Sequence, residues 1–343
     1  VTDSDLGSLP GAKPRRHRAP TGRVSMAMVA SRAGVSGQTV SRVVNDSPRV
    51  DPATRARVEQ AMSDLGYRPH RAARALRTGR SQTIGLVVTT LATVGNSRML
   101  QATSEAAAER GYALTVVTAA QGVASAFDRL AEQEVDGAIV LNEASAQVSA
   151  HGRPPGLRLV VVDAPSGAGF VAVHSDHRGG AAAATMRLLE LGHDTVHHLA
   201  GPADSYAAAE RERGWRETLA AARVEQPEPV RGDWSAEAGF AAGDALATAS
   251  AVFCANDQMA LGLLRALTES GRRVPEDVSV IGFDDVPDAA NYRPPLTTIR
   301  QDFSALAHRA VGALVAEIEG SDAAEGTDVI PTSLVERASS ARR

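Results

Sequence analysis

Hydrophobic residues keep one spacing at the start of this chain and another thereafter. Between Val24 and Leu65 they return every three or four positions, the period of helices with one buried face. Met26, Val29 and Ala30 make the first such face, with Ser25 placed to cap it. Gly34 supplies a turn where a side chain would crowd the backbone. Ser36 opens a second helix whose Val40, Val43 and Val44 face inward, leaving Gln38, Thr39, Ser41, Arg42 and Asn45 outward. Asp51-Pro52 starts a third helix, Ala53 to Leu65, with Val58, Met62 and Leu65 on one side and Gly66 as its stop.

From Thr83 the texture changes. Short continuous apolar runs read as strands: TIGLVVT from Thr83, YALTVVTA from Tyr112, AIVLN from Ala138 and RLVVVDA from Arg158. TVHHLAGP from Thr195, AVFCAND from Ala251 and VSVIGFDD from Val278 continue the series. Between and after them lie helical stretches: Met99 to Arg110, Val123 to Gln133, Gly180 to Leu191 and Arg211 to Ala222. Gly239 to Ala247, Gln258 to Gly271 and Ser304 to Glu319 complete the set. Such alternation means parallel sheets covered by helices, here enough for two doubly wound lobes. Sheets of this kind bind ligands at the carboxyl ends of their strands.

Charge separates the two textures. Residues 1–80 hold 15 basic and 6 acidic side chains, and the remainder 21 and 34. A cationic head on an acidic body points the head at a polyanion. Short or forked polar groups at the start of an exposed helix match base edges in a DNA major groove, where Gln and Arg bind in pairs of hydrogen bonds. Residues 1–22, with the basic run Lys13 to Arg18, read as a disordered tail. His70 to Thr78 is too short for a stable helix alone. It is either a charged linker or a hinge that becomes helical on DNA, with Leu76 wedged into the minor groove and arginines such as Arg71 on phosphates. Cys254 is the single cysteine, which suits a reducing compartment. No apolar run reaches the ~18 residues of a membrane span, and the N-terminus lacks a signal-peptide core. The expected location is therefore cytoplasmic, with the nucleoid.

Several polar groups fall just past strand ends: Asp163, Asn256-Asp257 and Asp284-Asp285. Arg211 and Trp234 sit near helix starts. Converging on a cleft, these suit a sugar: carboxylates and amides bind hydroxyl pairs, Arg forks across two, and Trp covers the apolar ring face. Each Asp or Asn is equally placed to cap the following turn. The Asp284-Asp285 pair is expected to split, one side chain toward the cleft and one structural. Paired carboxylates also serve glycoside hydrolysis, but a hydrolase has no use for the basic head. His193 and His197 have metal-like spacing on a strand, not a helix, so no metal is expected. No dinucleotide, phosphate-loop or nucleophile-elbow motif marks a cofactor or an enzyme.

VSGQTVSRVVN (Val35 to Asn45) resembles the DNA-binding head of the LacI/GalR family of transcriptional repressors. GDWSAEAGF from Gly232, ANDQMALG from Ala255, RALTESGRRV from Arg265, RPPLTTIRQDF from Arg293 and SLVER from Ser333 resemble its sugar-responsive members. The likeness spans roughly residues 24–337. It implies an all-α helix-turn-helix head plus an α/β two-lobed core like the periplasmic binding proteins, with parallel sheets and three crossovers. The implied division is a head at 23–69, a hinge at 70–81, a core at 82–337 and a tail at 338–343. The first lobe would take 82–174 and 301–330, the second 175–300 and 331–337. Crossovers are placed near His174–Asp176, Arg300–Asp302 and Ile330–Thr332.

The same resemblance implies DNA contacts by Ser36, Gln38, Thr39, Ser41, Arg42, Asn45, Arg71 and Leu76. It implies that Asp163, Arg211, Asn256 and Asp284 hold galactoside hydroxyls, with Trp234 against the ring and Gln301 and Phe303 nearby. Thr89, Thr93 and Met99 would line the cleft from the first lobe. Three departures stand out. Gly37 replaces a base-contacting aromatic, His174 a cleft aromatic, and Ala207 and Ala209 a small hydroxyl and a second arginine. No leucine heptad tail follows, so a homodimer and not a tetramer is expected. The resulting expectation is a repressor controlled by a β-galactoside. A purine or other sugar as co-repressor and an exported solute-binding protein are the alternatives.

Overall fold

The computed structural model of the chain describes residues 24–45, 47–67, 79–142, 144–145, 147–148, 154–164, 170–320 and 327–343. The expected tail at 1–22, Arg71, Leu76 and most of the hinge lie outside the described residues. The chain divides into two units, Val1–Arg77 and Thr78–Arg343.

In the first unit α1 (Met26–Ala33), α2 (Gly37–Val44) and α3 (Pro52–Leu65) close on Val29, Val40 and Val58, all fully buried. Local chemistry sets each boundary. The Ser25 hydroxyl accepts from the Met28 N–H, Ser36 from Thr39 and Asp51 from Thr54. Gly34 and Gly66 end α1 and α3 at φ of 66° and 63°, in the left-handed region that costs glycine nothing.

The second unit holds two six-stranded sheets. The first runs β11 (Thr327–Ile330), β5 (Val171–Ser175), β4 (Arg158–Val162), β3 (Gly137–Leu141), β1 (Thr83–Val88) and β2 (Ala113–Thr118), all parallel. The other runs β12 (Ser333–Val335), β10 (Thr297–Arg300), β9 (Ser279–Asp284), β8 (Ala251–Cys254), β6 (His197–Ala200) and β7 (Val230–Arg231). Only β12 in this sheet is antiparallel to its neighbour. Helices cover both faces, so β3, β8 and β9 are buried along their whole length and their sequences are apolar runs without alternation. The helices are α4 (Val94–Glu109), α5 (Val123–Glu132) and α10 (Phe303–Glu319) on the first sheet. The second carries α6 (His177–Glu190), α7 (Tyr206–Ala222), α8 (Ala236–Ala241) and α9 (Asp257–Glu269).

The chain passes between the sheets where β5 meets α6, where β10 meets α10 and where β11 meets β12. These are the three expected crossovers. Two are tied together: the Asp176 N–H donates to the Ile330 carbonyl at 2.8 Å, and the Thr332 hydroxyl to that of Asp176 at 3.2 Å.

Three differences from the sequence reading have physical causes. Helices α4, α6 and α7 begin three to five residues earlier than their apolar periodicity, because their first turns hold no repeating apolar stripe and are fixed instead by caps at Thr93, Asp176 and Ser205. Helix α8 ends at Ala241, short of Ala247, and Gly239 abuts the Met259 backbone so closely that a Cβ there would lie 2.0 Å from its oxygen. Finally, residues 338–343 are not a free tail. Ser339 is fully buried; its hydroxyl accepts from the Thr297 N–H at 2.8 Å and donates to the Val280 carbonyl at 2.6 Å. The Arg343 N–H reaches the Leu191 carbonyl at 2.9 Å. Among the described residues no helix is long and apolar enough to cross a membrane.

Candidate functional site

In the head, α2 exposes Gln38 and Arg42, while Thr39 and Ser41 are half-buried beside them. Ser36 caps the helix as expected, while Asn45 is occupied differently from the expectation that it faces outward. The Ser36 hydroxyl caps the helix and lies 2.9 Å from that of Thr39. The Asn45 amide turns back onto the Ser41 carbonyl and lies 3.3 Å from its hydroxyl. Ser36 thus starts the helix and Asn45 closes it, with Gln38 and Arg42 exposed between them.

In the second unit a cleft opens between the carboxyl ends of the two sheets. Its void measures about 480 Å³ with the open mouth. The first lobe lines it with Thr93, Gly95, Asn96, Met99, Asn142 and Asp163. Ala207, Arg211, Trp234, Asn256 and Asp284 line it from the second, and Gln301 and Phe303 from the crossover. Asn142, Asp163, Trp234 and Asp284 hold φ of 48°, 53°, 75° and 111°. Asn and Asp tolerate the left-handed region near 50°, but Trp234 at 75° and Asp284 at 111° need their surroundings to impose such angles, and strain of that kind gathers at functional sites.

Arg211 is the centre of the polar set and is buried. Its Nε and Nη2 each lie 3.3 Å from His177 Nδ1, Nη1 donates to the Ala255 carbonyl, and Nη2 is 3.5 Å from Asp284 Oδ1. The guanidinium lies 3.9 Å over the Phe283 ring and 5.4 Å from that of Trp234. Trp234 packs so tightly on Gly201 that a Cβ there would fall 2.3 Å from the indole. The Asn256 carbonyl oxygen caps α9 through the Met259 N–H at 2.9 Å, and its Nδ2 donates to the Trp234 carbonyl at 3.0 Å, which leaves one amide proton for a ligand.

The carboxyl groups are shifted in opposite directions. Burial pushes the Asp284 carboxyl up, against the opposing pull of Arg211 and of Gln301, whose amide donates to it at 2.6 Å. Burial also acts to raise Asp163, but the His177 partner 2.8 Å away, Arg211 and His174 outweigh it, and its pKa ends below the usual range. Asp257, fully buried, is pushed well up by burial and then by Asp284; it accepts from the Val286 N–H at 2.9 Å and the Thr298 hydroxyl at 2.6 Å. Asp285 is salt-bridged to Arg300 at 2.7 Å and Arg337 at 2.6 Å, which overcome burial and lower its pKa. The adjacent pair is thus split, Asp284 into the cleft and Asp285 into structure.

Two bonds fasten the lobes at the mouth. The Val94 N–H donates to Gln258 Oε1 at 2.8 Å, and Arg98 Nη1 to the Asp285 carbonyl at 3.2 Å.

Of the residues expected here, Thr93, Met99, Asp163, Arg211, Trp234, Asn256, Asp284, Gln301 and Phe303 come together. Thr89 and His174 do not line the cavity. Thr89 follows β1 directly, whereas the chain reaches the cleft only at Thr93. His174 lies within β5 opposite Val329, and its ring is 5.7 Å from that of Tyr206. Asn96, Asn142 and His177 were missed. Asn142 closes a predicted strand, so the strand-end rule that found Asp163 applied to it as well. Asn96 and His177 lie in first turns that periodicity did not reach. Cys254 is buried within β8, and His193 bonds the Ser250 hydroxyl at 3.2 Å.

Comparison with known proteins agrees with this architecture. The family model described as "Bacterial regulatory proteins, lacI family" matches residues 25–70, and that of a periplasmic binding protein-like domain matches 185–340. The chain is 37% identical to the lactose operon repressor of Escherichia coli (strain K12), over 92% of this chain and 90% of that protein. It is also 37% identical to the HTH-type transcriptional regulator CelR of Thermobifida fusca, over 94% and 99%. A Lac repressor dimer bound to operator and the anti-inducer ONPF superposes with a TM-score of 0.83 at 34% identity, covering 93% of this chain and 100% of that one. A CelR–cellobiose complex superposes with a TM-score of 0.69 at 35% identity, covering 92% and 100%.

Proposed function

The chain belongs to the lacI family of bacterial regulatory proteins, and from that premise we propose that it is an operator-binding repressor released by a β-galactoside held between its lobes. Members of this family are DNA-binding regulators, not enzymes, that answer small sugars or purines. The observation that carries the finer reading is the grouping of Trp234, Arg211, Asp163, Asp284 and Asn256 in one cleft. An indole face stacks on the apolar side of a pyranose, while a guanidinium, carboxyl groups and amides satisfy its hydroxyls.

In this reading two copies pair, and their two-fold symmetry matches two half-sites of an operator. The helix α4 contributes to the pairing face. Gln38 and Arg42 read base edges, Thr39 and Ser41 support them, and Arg71 and Leu76 act at the hinge. The sugar favours a lobe arrangement that separates the two hinges, by its difference in affinity for the two states. The equal identity to CelR favours a second reading, a β-glucoside such as cellobiose in the same cleft.

Gel shifts on a DNA fragment selected by the protein itself, with and without lactose, isopropyl β-thiogalactoside and cellobiose, test both. Release by a galactoside supports the first reading and release by cellobiose alone the second. Tighter binding in sugar means co-repression, and no DNA binding refutes the repressor.

A further inference from the structure

His177 sits where the two lobes meet. Its residue is buried, at 2% exposure, and both ring nitrogens are engaged. Arginine N–H groups only donate, so His177 Nδ1, 3.3 Å from Arg211 Nε and Nη2, must be an acceptor. The ring proton is therefore on Nε2, which donates to Asp163 Oδ1 at 2.8 Å. Asp163 hangs from β4 of the first sheet; His177 opens α6 and Arg211 lies in α7, both on the second. A chain of hydrogen bonds thus runs from a first-lobe carboxylate through a second-lobe imidazole to the arginine at the centre of the cleft. A protonated imidazole would turn an N–H on the guanidinium, so the bridge requires a neutral ring in one tautomer.

We propose that His177 is a positioning residue: the Nε2–H tautomer imposed by Arg211 latches Asp163 across the lobes, so that the orientation of the arginine and the closure of the lobes are set together. Opening the lobes strips Nε2–H of its acceptor and frees Arg211 to turn. A ligand hydroxyl on Arg211 is then felt at the lobe contact through one imidazole. The binding arm of the test rests on the sugar reading above; the tautomer arm does not.

A glutamine at this position carries one donor and one acceptor and can replace the bridge, whereas leucine fills the space without it. With isopropyl β-thiogalactoside and cellobiose as probes, calorimetry on the full chain should show His177→Leu weakened at least about ten-fold in whichever sugar binds, the scale of losing hydrogen bonds to charged groups. His177→Gln should recover most of the affinity. A folded His177→Leu that binds like the parent, or His177→Gln as weak as His177→Leu, overturns the proposal. Nitrogen-15 spectra of histidine-labelled, ligand-free protein provide the second arm. The His177 resonance, identified by its loss in His177→Gln, should report Nε2–H, and Arg211→Leu should abolish that fixed tautomer. An Nδ1–H or averaged ring overturns the latch whatever the sugar result. Failure of both sugars to bind the parent, with the Nε2–H signal intact, counts against the effector assignment and supports the latch.

Discussion

Truncating Arg211 to alanine tests the electrostatics of the cleft most directly. The substitution removes a buried cation that touches three acceptors at once: His177 Nδ1, the Ala255 carbonyl and, at 3.5 Å, Asp284. It also removes the charge from over the Phe283 ring. Breaking a buried pair by deleting one partner costs about 3–5 kcal/mol, because the other charge stays behind. The long 3.5 Å contact and the ability of Asp284 to take up a proton place this case at the lower end, about 3 kcal/mol at pH 7.5.

The sign of the pH dependence follows from the directions of the shifts. Asp284 already has a folded pKa above its unfolded 3.8, so the stability linked to its neutral form is full at low pH and is lost as pH rises through the folded value. Without Arg211, which opposes that rise, the folded value climbs further. Asp163 is lowered, so its contribution is present above 3.8 and lost as pH falls through the folded value; Arg211 is one of the groups that hold it down. Both effects make the variant's penalty largest near neutrality and smaller in acid. Urea unfolding of the Arg211→Ala pair at pH 7.5 and 5.0, made in a His177→Gln background so that the imidazole touching Arg211 does not differ between the two proteins, measures the difference. A penalty that is equal at the two pH values, or larger at 5.0, refutes the account. Adding Asp284→Asn to Arg211→Ala should restore part of the loss at pH 7.5, since neighbouring charges are not additive.

Three further outcomes are expected. Burial holds His198 near a pKa of about 4, so the folded protein loses stability at this residue as pH falls from 6.5 toward 4, by about 3 kcal/mol in all; His198→Phe, whose ring can keep the stack on Phe253, should flatten that part of the acid unfolding curve, and an unchanged slope contradicts it. Gly201→Ala puts a methyl into the indole of Trp234 and should weaken sugar binding in calorimetry by about ten-fold or more, ~1.4 kcal/mol, with operator affinity kept; equal sugar affinity means that the ring does not face the ligand. Ser339→Ala leaves the Thr297 N–H and Val280 carbonyl without the hydroxyl that serves them, a loss of about 1–3 kcal/mol in urea unfolding, whereas a neutral result shows that water replaces the docked end.

What the sequence disclosed and what it withheld divide along a physical line. The head was legible nearly to the residue, because caps at Ser25, Ser36 and Asp51 and left-handed glycines at 34 and 66 are local chemistry. Central strands were legible because burial on both faces leaves an unbroken apolar run. Strands β5, β10, β11 and β12 were not read as strands, since they are short and carry Ser, Thr, His or Asp among their few residues. In the cleft the hydrophobic period fails for a reason tied to function. The first turn of α4 faces ligand space through Gly95 and Asn96, and His177 in that of α6 is bonded to Asp163 and Arg211 behind it, so both sit where no apolar stripe can form. Capping rules still operate there, and applied at every strand end they would have reached Asn142. They could not say which of Asp284 and Asp285 enters the cleft. That choice is made by Arg300, Arg337 and Gln301, which lie 15, 52 and 17 residues away along the chain. Arg300 and Arg337 belong to segments that only the tertiary fold brings beside β9. A strand-end carboxylate is therefore readable as a candidate from its neighbours, but its charge state and direction are properties of partners the local sequence does not contain.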